Sequence, residues 1–175
     1  MRIAPFVVAA LVPLACTFSL DHREIDAADP NARLCTVPEN IQSCLDAAQQ
    51  SSFSYLEAQI LQPKCAIAGC HDGGDQLGGN LDLRNIGSAY ASLVNNPSQL
   101  DPTRMIVVPG NPAQSFLTVM IGQIKPQEAD PPLDGIPHDK NGNVVGTMPQ
   151  DAASVLCCQK LDVFARWIGS GAPMM

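Results

Sequence analysis

The sequence predicts an all-α chain of four or five short helices joined by long loops, with little strand. Three observations lead there. Apolar residues recur at helical spacing in several short stretches. Fifteen prolines and 13 glycines break the chain into pieces too short for long elements. A length of 175 residues is that of one domain, and 46% apolar against 15% charged residues excludes a disordered acidic chain.

Each element has its own warrant. Thr36-Val37-Pro38-Glu39 reads as a capping box, with Ile41, Cys44, Leu45 and Ala48 following on one helical face. Phe53, Leu56, Ile60 and Leu61 form a second amphipathic stretch, which Pro63 is expected to end. Residues 72–85 hold four glycines and form a loop. A short helix is expected over 88–94, stopped at Asn95-Asn96-Pro97. Pro109-Gly110-Asn111-Pro112 is a turn, and a third stretch runs over 113–121 with Phe116, Leu117, Met120 and Ile121 apolar. Residues 126–149 are another long loop, with Asn141-Gly142 suggesting a small hairpin. The last helix has Asp151 as expected N-cap and Cys157, Leu161, Phe164 and Ile168 on one face. Gly169, Gly171 and Pro173 supply its stop. With aromatics at only 5%, the core is expected to use small aliphatic side chains or a group that is not protein.

The first fifteen residues, with Arg2 followed by an apolar run, read as an export signal too short and proline-broken for a membrane span. Cys16 after Pro13-Leu14-Ala15 resembles a bacterial lipoprotein processing site, and lipidation of Cys16 is expected; the alternative is an ordinary secreted protein cut nearby. Residues 16–34 are polar and aperiodic, a lipid-anchored tether before a domain over 35–175. The expected location is the periplasm or the outer membrane and cell envelope, where disulfides persist. Removing residues 1–15 takes away Arg2 and no acid, so the charge moves from -7 to -8. No basic stripe exists to neutralise phosphates, which argues against nucleic acid as a partner.

Seven cysteines are the most informative count. Cys65-Ala66-Ile67-Ala68-Gly69-Cys70-His71 places two thiols beside an imidazole, the set that covalent haem attachment uses: thiols add across porphyrin vinyl groups and histidine lies under the iron. Four residues separate the cysteines where two are usual. Other readings of the same residues are a local Cys65–Cys70 disulfide, or zinc with Cys157 or Cys158 as fourth ligand. Blue copper requires two histidines on a strand-rich scaffold and fits less well. His138 reads as a solvated loop residue, His22 belongs to the tether, and 139–150 lacks the closing Glu of a calcium loop. No hydrolase triad or carboxylate pair is visible, so no enzyme is expected.

The order of blocks over about 51–173 resembles the haem-binding-type cytochrome c domains of exported myxobacterial and planctomycete proteins. Ile60-Leu61-Gln62-Pro63-Lys64-Cys65 is similar to that family's run into its first cysteine, and Gly69-Cys70-His71 to its attachment site. Gly79-Asn80-Leu81-Asp82-Leu83, the run from Ala89 to Asn95, Val108-Pro109-Gly110-Asn111-Pro112, Met148-Pro149, Phe164-Ala165-Arg166-Trp167-Ile168 and Gly171-Ala172-Pro173 follow in the family's order. The resemblance implies a small cytochrome c-like fold with haem c, its iron held by His71 and by Met148 as distal candidate, and thioethers at Cys65 and Cys70. It implies haem in place of an aromatic core, single-electron transfer, and a basic redox partner steered by the acidic surface. A haem-free, disulfide-stapled lipoprotein domain that binds an envelope partner is the alternative, and a peroxidase-type haem protein a third.

Cys35, Cys44, Cys157 and Cys158 remain. A helix capped at Thr36 would hold Cys35 and Cys44 about 13 Å apart, too far to bond. A bond between the adjacent Cys157 and Cys158 would be strained. Two bridges from the N-terminal segment to the last helix are therefore expected, each contributing about 2–4 kcal/mol; the alternative leaves pairs reduced and buried.

Overall fold

The computed structural model describes residues 40–73, 80–135, 137–138, 148–149 and 156–175. The predicted signal over 1–15, the tether over 16–34 with Cys16, the Thr36 box, Cys35, Asn141-Gly142 and Asp151 lie outside these residues. Within them the chain is all-α: five short α-helices, one π-helix, a 3-10 turn and three isolated β-bridges, with long connecting loops. None of these helices is long and apolar enough to cross a membrane.

The first helix, α1 (Gln42–Ala47), starts later than the capping box implies, and its N-cap Ile41 makes no side-chain cap bond. Its buried face is Cys44 and Ala47, whereas Ile41 and Leu45 are 45% and 48% exposed. The expected apolar stripe is thus turned. The reason is covalent and local: Cys44 is bonded to Cys157, and that bond rather than the bulk of Ile41 and Leu45 selects the face turned to the last helix.

Helix α2 (Phe53–Leu56) is capped by Ser52, whose hydroxyl accepts the Tyr55 N–H at 3.2 Å. It continues directly into a π-helix, π1 (Glu57–Cys65), so Pro63 does not end it. In a π-turn the ladder reaches five residues back, as in Ala66 N–H to Leu61 O at 2.8 Å. The carbonyl four residues back is then not drawn against the proline ring, and the chain stays helical as far as Cys65. Phe53, Leu56, Ile60 and Leu61 are all buried, as their spacing predicts.

Helix α3 (Ile86–Leu93) begins two residues before its predicted start because Asn85 caps it, its Oδ1 accepting Ser88 N–H at 3.0 Å. It stops where Val94 is extended and Asn95 takes φ +56°. Helix α4 (Phe116–Met120) is shorter than its predicted stretch. Ser115 is buried ahead of it, donating to Asn111 O at 2.8 Å and accepting Val108 N–H at 2.9 Å. Its hydroxyl ties the 108–111 turn instead of capping the helix. The long loop after α4 carries the 3-10 turn Pro126–Glu128.

Helix α5 (Cys158–Gly169) is the organising element. Cys157 occupies the N-cap position with extended backbone. The predicted face is right: Cys157, Leu161, Phe164 and Ile168 are buried, with Val163 and Trp167 beside them. Trp167 is fully buried, stacks on Phe53 with ring centroids 4.9 Å apart, and donates its indole N–H to Pro173 O at 2.8 Å. Tyr90 meets Phe53 edge-on at 5.3 Å and donates to Ala172 O at 2.9 Å. The few aromatics gather in the centre, and the rest of the buried core is Ala, Val, Leu and Ile, as the composition predicts. Composition averages over the chain, and a scarcity of rings says nothing about where they gather.

Arg166 joins α5 to α1. Its guanidinium donates to Ala47 O, the last carbonyl of α1, and to Gln50 O just beyond it, both at 2.8 Å. With the Cys44–Cys157 bond at the other end, α1 runs along α5 in the same direction, fastened at both ends. Trp167→Ala is expected to cost about 3–5 kcal/mol, and Arg166→Met about 2–3 kcal/mol through the two lost charge-assisted bonds. Leu45→Gln, on the exposed face, is expected to stay within about 0.5 kcal/mol. Urea unfolding with the disulfides intact checks the ranking.

Candidate functional site

The Cys-His turn grows out of π1. The π-helix delivers Cys65 to its last residue, and residues 66–70 make a closed turn after it. Cys70 N–H donates to Ile67 O at 3.0 Å, Gly69 takes φ +79°, and His71 N–H donates back to Cys65 O at 3.0 Å. The four residues between the cysteines are thus consumed in a turn that returns the His71 backbone to Cys65. The structure brings Cys65, Cys70 and His71 together, all half-buried.

A second strand of chain braces the turn. Leu83 N–H donates to His71 O at 3.0 Å, and Asp72 bridges antiparallel to Asp82. Gly73 has φ +75° and approaches so closely that a Cβ would stand 2.8 Å from Asp82 Cγ, so both conformation and space require glycine. Asp82 accepts both guanidinium bonds of Arg84, at 2.9 and 2.8 Å, and the Arg84 backbone N–H at 3.1 Å. These bonds hold the Asp82 carboxyl well below the usual carboxylate range. The pair was open to sequence reasoning, since residues i and i+2 of an extended segment share a face.

Neither Cys65 nor Cys70 is in a disulfide. Burial, and then the neighbouring Cys70, push the Cys65 thiol up to about 12. The zinc reading fails on two counts. Its proposed fourth ligands are taken, since Cys157 is bonded to Cys44 and Cys158 is also disulfide-bonded. Among the described residues no three His, Cys, Asp or Glu side chains converge on one point as a metal would require.

Met148 is placed against the end of α4. Its N–H donates to Met120 O at 2.6 Å, and its side chain packs, half-buried, on the same apolar cluster that Cys65 packs on. His138 is exposed on the rim of a groove of about 370 Å³ floored by Leu100, Phe116 and Leu133. A solvated loop position is what its sequence context predicts.

One feature escaped the sequence reading. The Lys160 ammonium, in the first turn of α5, is held below its ordinary range first by burial and second by the charge of Lys64. No sequence signal joins residues 96 positions apart. Lys64 directly precedes Cys65, so a cation adjoins the thiol in a chain of net charge -7.

No family model, no curated protein and no solved structure matches the chain.

The Cys65 thiol supplies a pH test. Folding raises its pKa from an ordinary 9.0 to about 12, so the folded chain keeps this proton where the unfolded chain loses it. The associated stability is complete below about pH 9 and is lost as pH rises toward 12. At pH 8, alkylation of Cys65 in protein lacking any group on its thiols is expected to be on the order of 1,000-fold slower than in urea, by its smaller thiolate fraction. Timed iodoacetamide labelling with peptide mass spectrometry reads this directly; equal rates in both states would remove the argument.

Proposed function

We propose that this chain is an exported, lipid-anchored c-type cytochrome that passes single electrons and performs no substrate chemistry. One observation carries the reading: Cys44, Cys157 and Cys158 are disulfide-bonded, while Cys65 and Cys70, beside His71, are not. A chain that oxidises its other described cysteines and spares this pair is consistent with a separate use for these two thiols.

The donor set fits haem. Cys65 and Cys70 would hold it by thioethers, His71 would be the proximal ligand, and Met148 is the candidate opposite it. Haem with imidazole and thioether ligands supplies a one-electron couple of raised potential. The centre of the fold is already filled by Trp167, Phe53 and Phe164, so a haem would have to sit at the core edge, where Cys65, Ala66, Leu81, Leu117 and Met148 are half-buried. The chain's part is to present two thiols from one short turn, to keep apolar surface beside them, and to supply the Lys64 ammonium next to the turn for an anionic porphyrin edge. Lipidation at Cys16 would keep the domain at the envelope, and the acidic surface suits a basic redox partner.

A filled aromatic centre also supports the second reading, a haem-free domain that closes a Cys65–Cys70 crosslink and binds an envelope partner. An alkaline pyridine spectrum of the chain exported from a host with haem-attachment machinery separates the two. Covalent haem is expected, lost in the Cys65→Ala/Cys70→Ala double variant, with a lowered reduction potential in Met148→Ala. Folded, colourless protein carrying a Cys65–Cys70 crosslink overturns the cytochrome reading.

A further inference from the structure

The groove beside α4 lies outside the Cys-His turn and has a built frame. It encloses about 370 Å³, the size of a small ligand site. Leu100, Phe116 and Leu133 make its floor, and Asp101, Asp134 and His138 stand on its rim. Arg104 fastens the two walls together. Its guanidinium donates to Asp101 Oδ2 at 3.1 Å on one side and to Pro132 O at 3.3 Å on the other. Leu133 N–H donates to Pro126 O at 2.9 Å and Phe116 N–H to Met105 O at 3.0 Å, so backbone bonds hold the floor as well.

The two rim carboxylates differ. Asp101 is engaged within its own wall, because Thr103 donates its N–H and hydroxyl to Oδ1 while Arg104 takes Oδ2. Asp134 is exposed and pairs with no cation among the described residues. An anion is repelled here by Asp134 and by a net charge of -7. A cation on an apolar stem fits both the floor and the rim. Arginine has methylenes to lie on the floor and a fork of N–H donors that matches a carboxylate with an imidazole beside it. We propose that this groove seats an arginine side chain presented by a basic protein partner.

Helix α4 links the seat to the other end of the molecule's candidate site. Phe116 floors the groove, and four residues on, about 6 Å along the helix, Met120 O accepts the Met148 N–H. The inference does not rest on the haem reading, since a colourless domain presents the same groove.

A nitrogen–proton NMR titration of the full chain tests it, with a glycine-flanked arginine peptide, acetylated and amidated, as probe. Saturable shifts are expected at Leu100, Asp101, Leu133 and Asp134. The same peptide with citrulline, equal in shape but uncharged, is expected to bind about three- to ten-fold more weakly. Equal binding of the two peptides, or shifts that rise without saturation over the whole acidic surface, overturns the proposal. Asp134→Asn is expected to weaken the arginine peptide by the same factor. Gly135→Leu, where an added Cβ meets nothing within 4 Å, is expected to fill the groove and abolish the shifts. Unchanged affinity in both variants overturns the proposal too. The comparison of peptides uses the unmutated chain and stands independently of how the variants fold.

Discussion

Trp167 is the side chain on which the rest of the fold depends. It stacks on Phe53, which carries the start of α2, and its indole N–H holds the carbonyl of Pro173 in the C-terminal tail. One residue therefore ties α5, α2 and the end of the chain together. A buried indole is stable only when its N–H is satisfied, so the tail must turn back after Gly169. The positive φ values of Gly171 and Ala172 make that turn. Tyr90 then donates to Ala172 and brings α3 onto the same centre.

The path of α2 follows from this. With Phe53 fixed under Trp167, the helix must run past α5 and keep Ile60 and Leu61 buried before it releases the chain. A regular α-helix would meet Pro63 two turns later and break. The π-helical ladder carries the chain through, and Cys65 emerges packed on the core. The Cys-His turn is thus positioned by an aromatic stack some dozen residues upstream. The Asp82–Arg84 pair and the Gly73 approach hold its far side.

Disulfides divide the labour. A domain of short helices has few hydrogen bonds per element and loses much chain entropy on folding. Cross-linking α1 to α5 over a separation of 113 residues constrains the unfolded chain and leaves the Cys-His turn to be shaped by packing alone. The scaffold cysteines and the site cysteines occupy different faces of the problem: the first join distant elements, the second share one turn.

The sequence by itself determined the helical class, the buried faces of α2 and α5, the grouping of Cys65, Cys70 and His71, and a bridge from Cys44 to the last helix. These are local or periodic features, and hydrophobic spacing and cysteine spacing record them. The tertiary structure decided the rest. It turned α1 so that Cys44 and Ala47 faced inward, because a bond to Cys157 outweighs the burial of two aliphatic side chains. It carried π1 through Pro63, because the Phe53–Trp167 stack holds the helix in place. It gathered scarce aromatics into one centre and brought the charge of Lys64 to bear on Lys160 across 96 positions, since proximity between distant residues is a property of packing that no local pattern encodes.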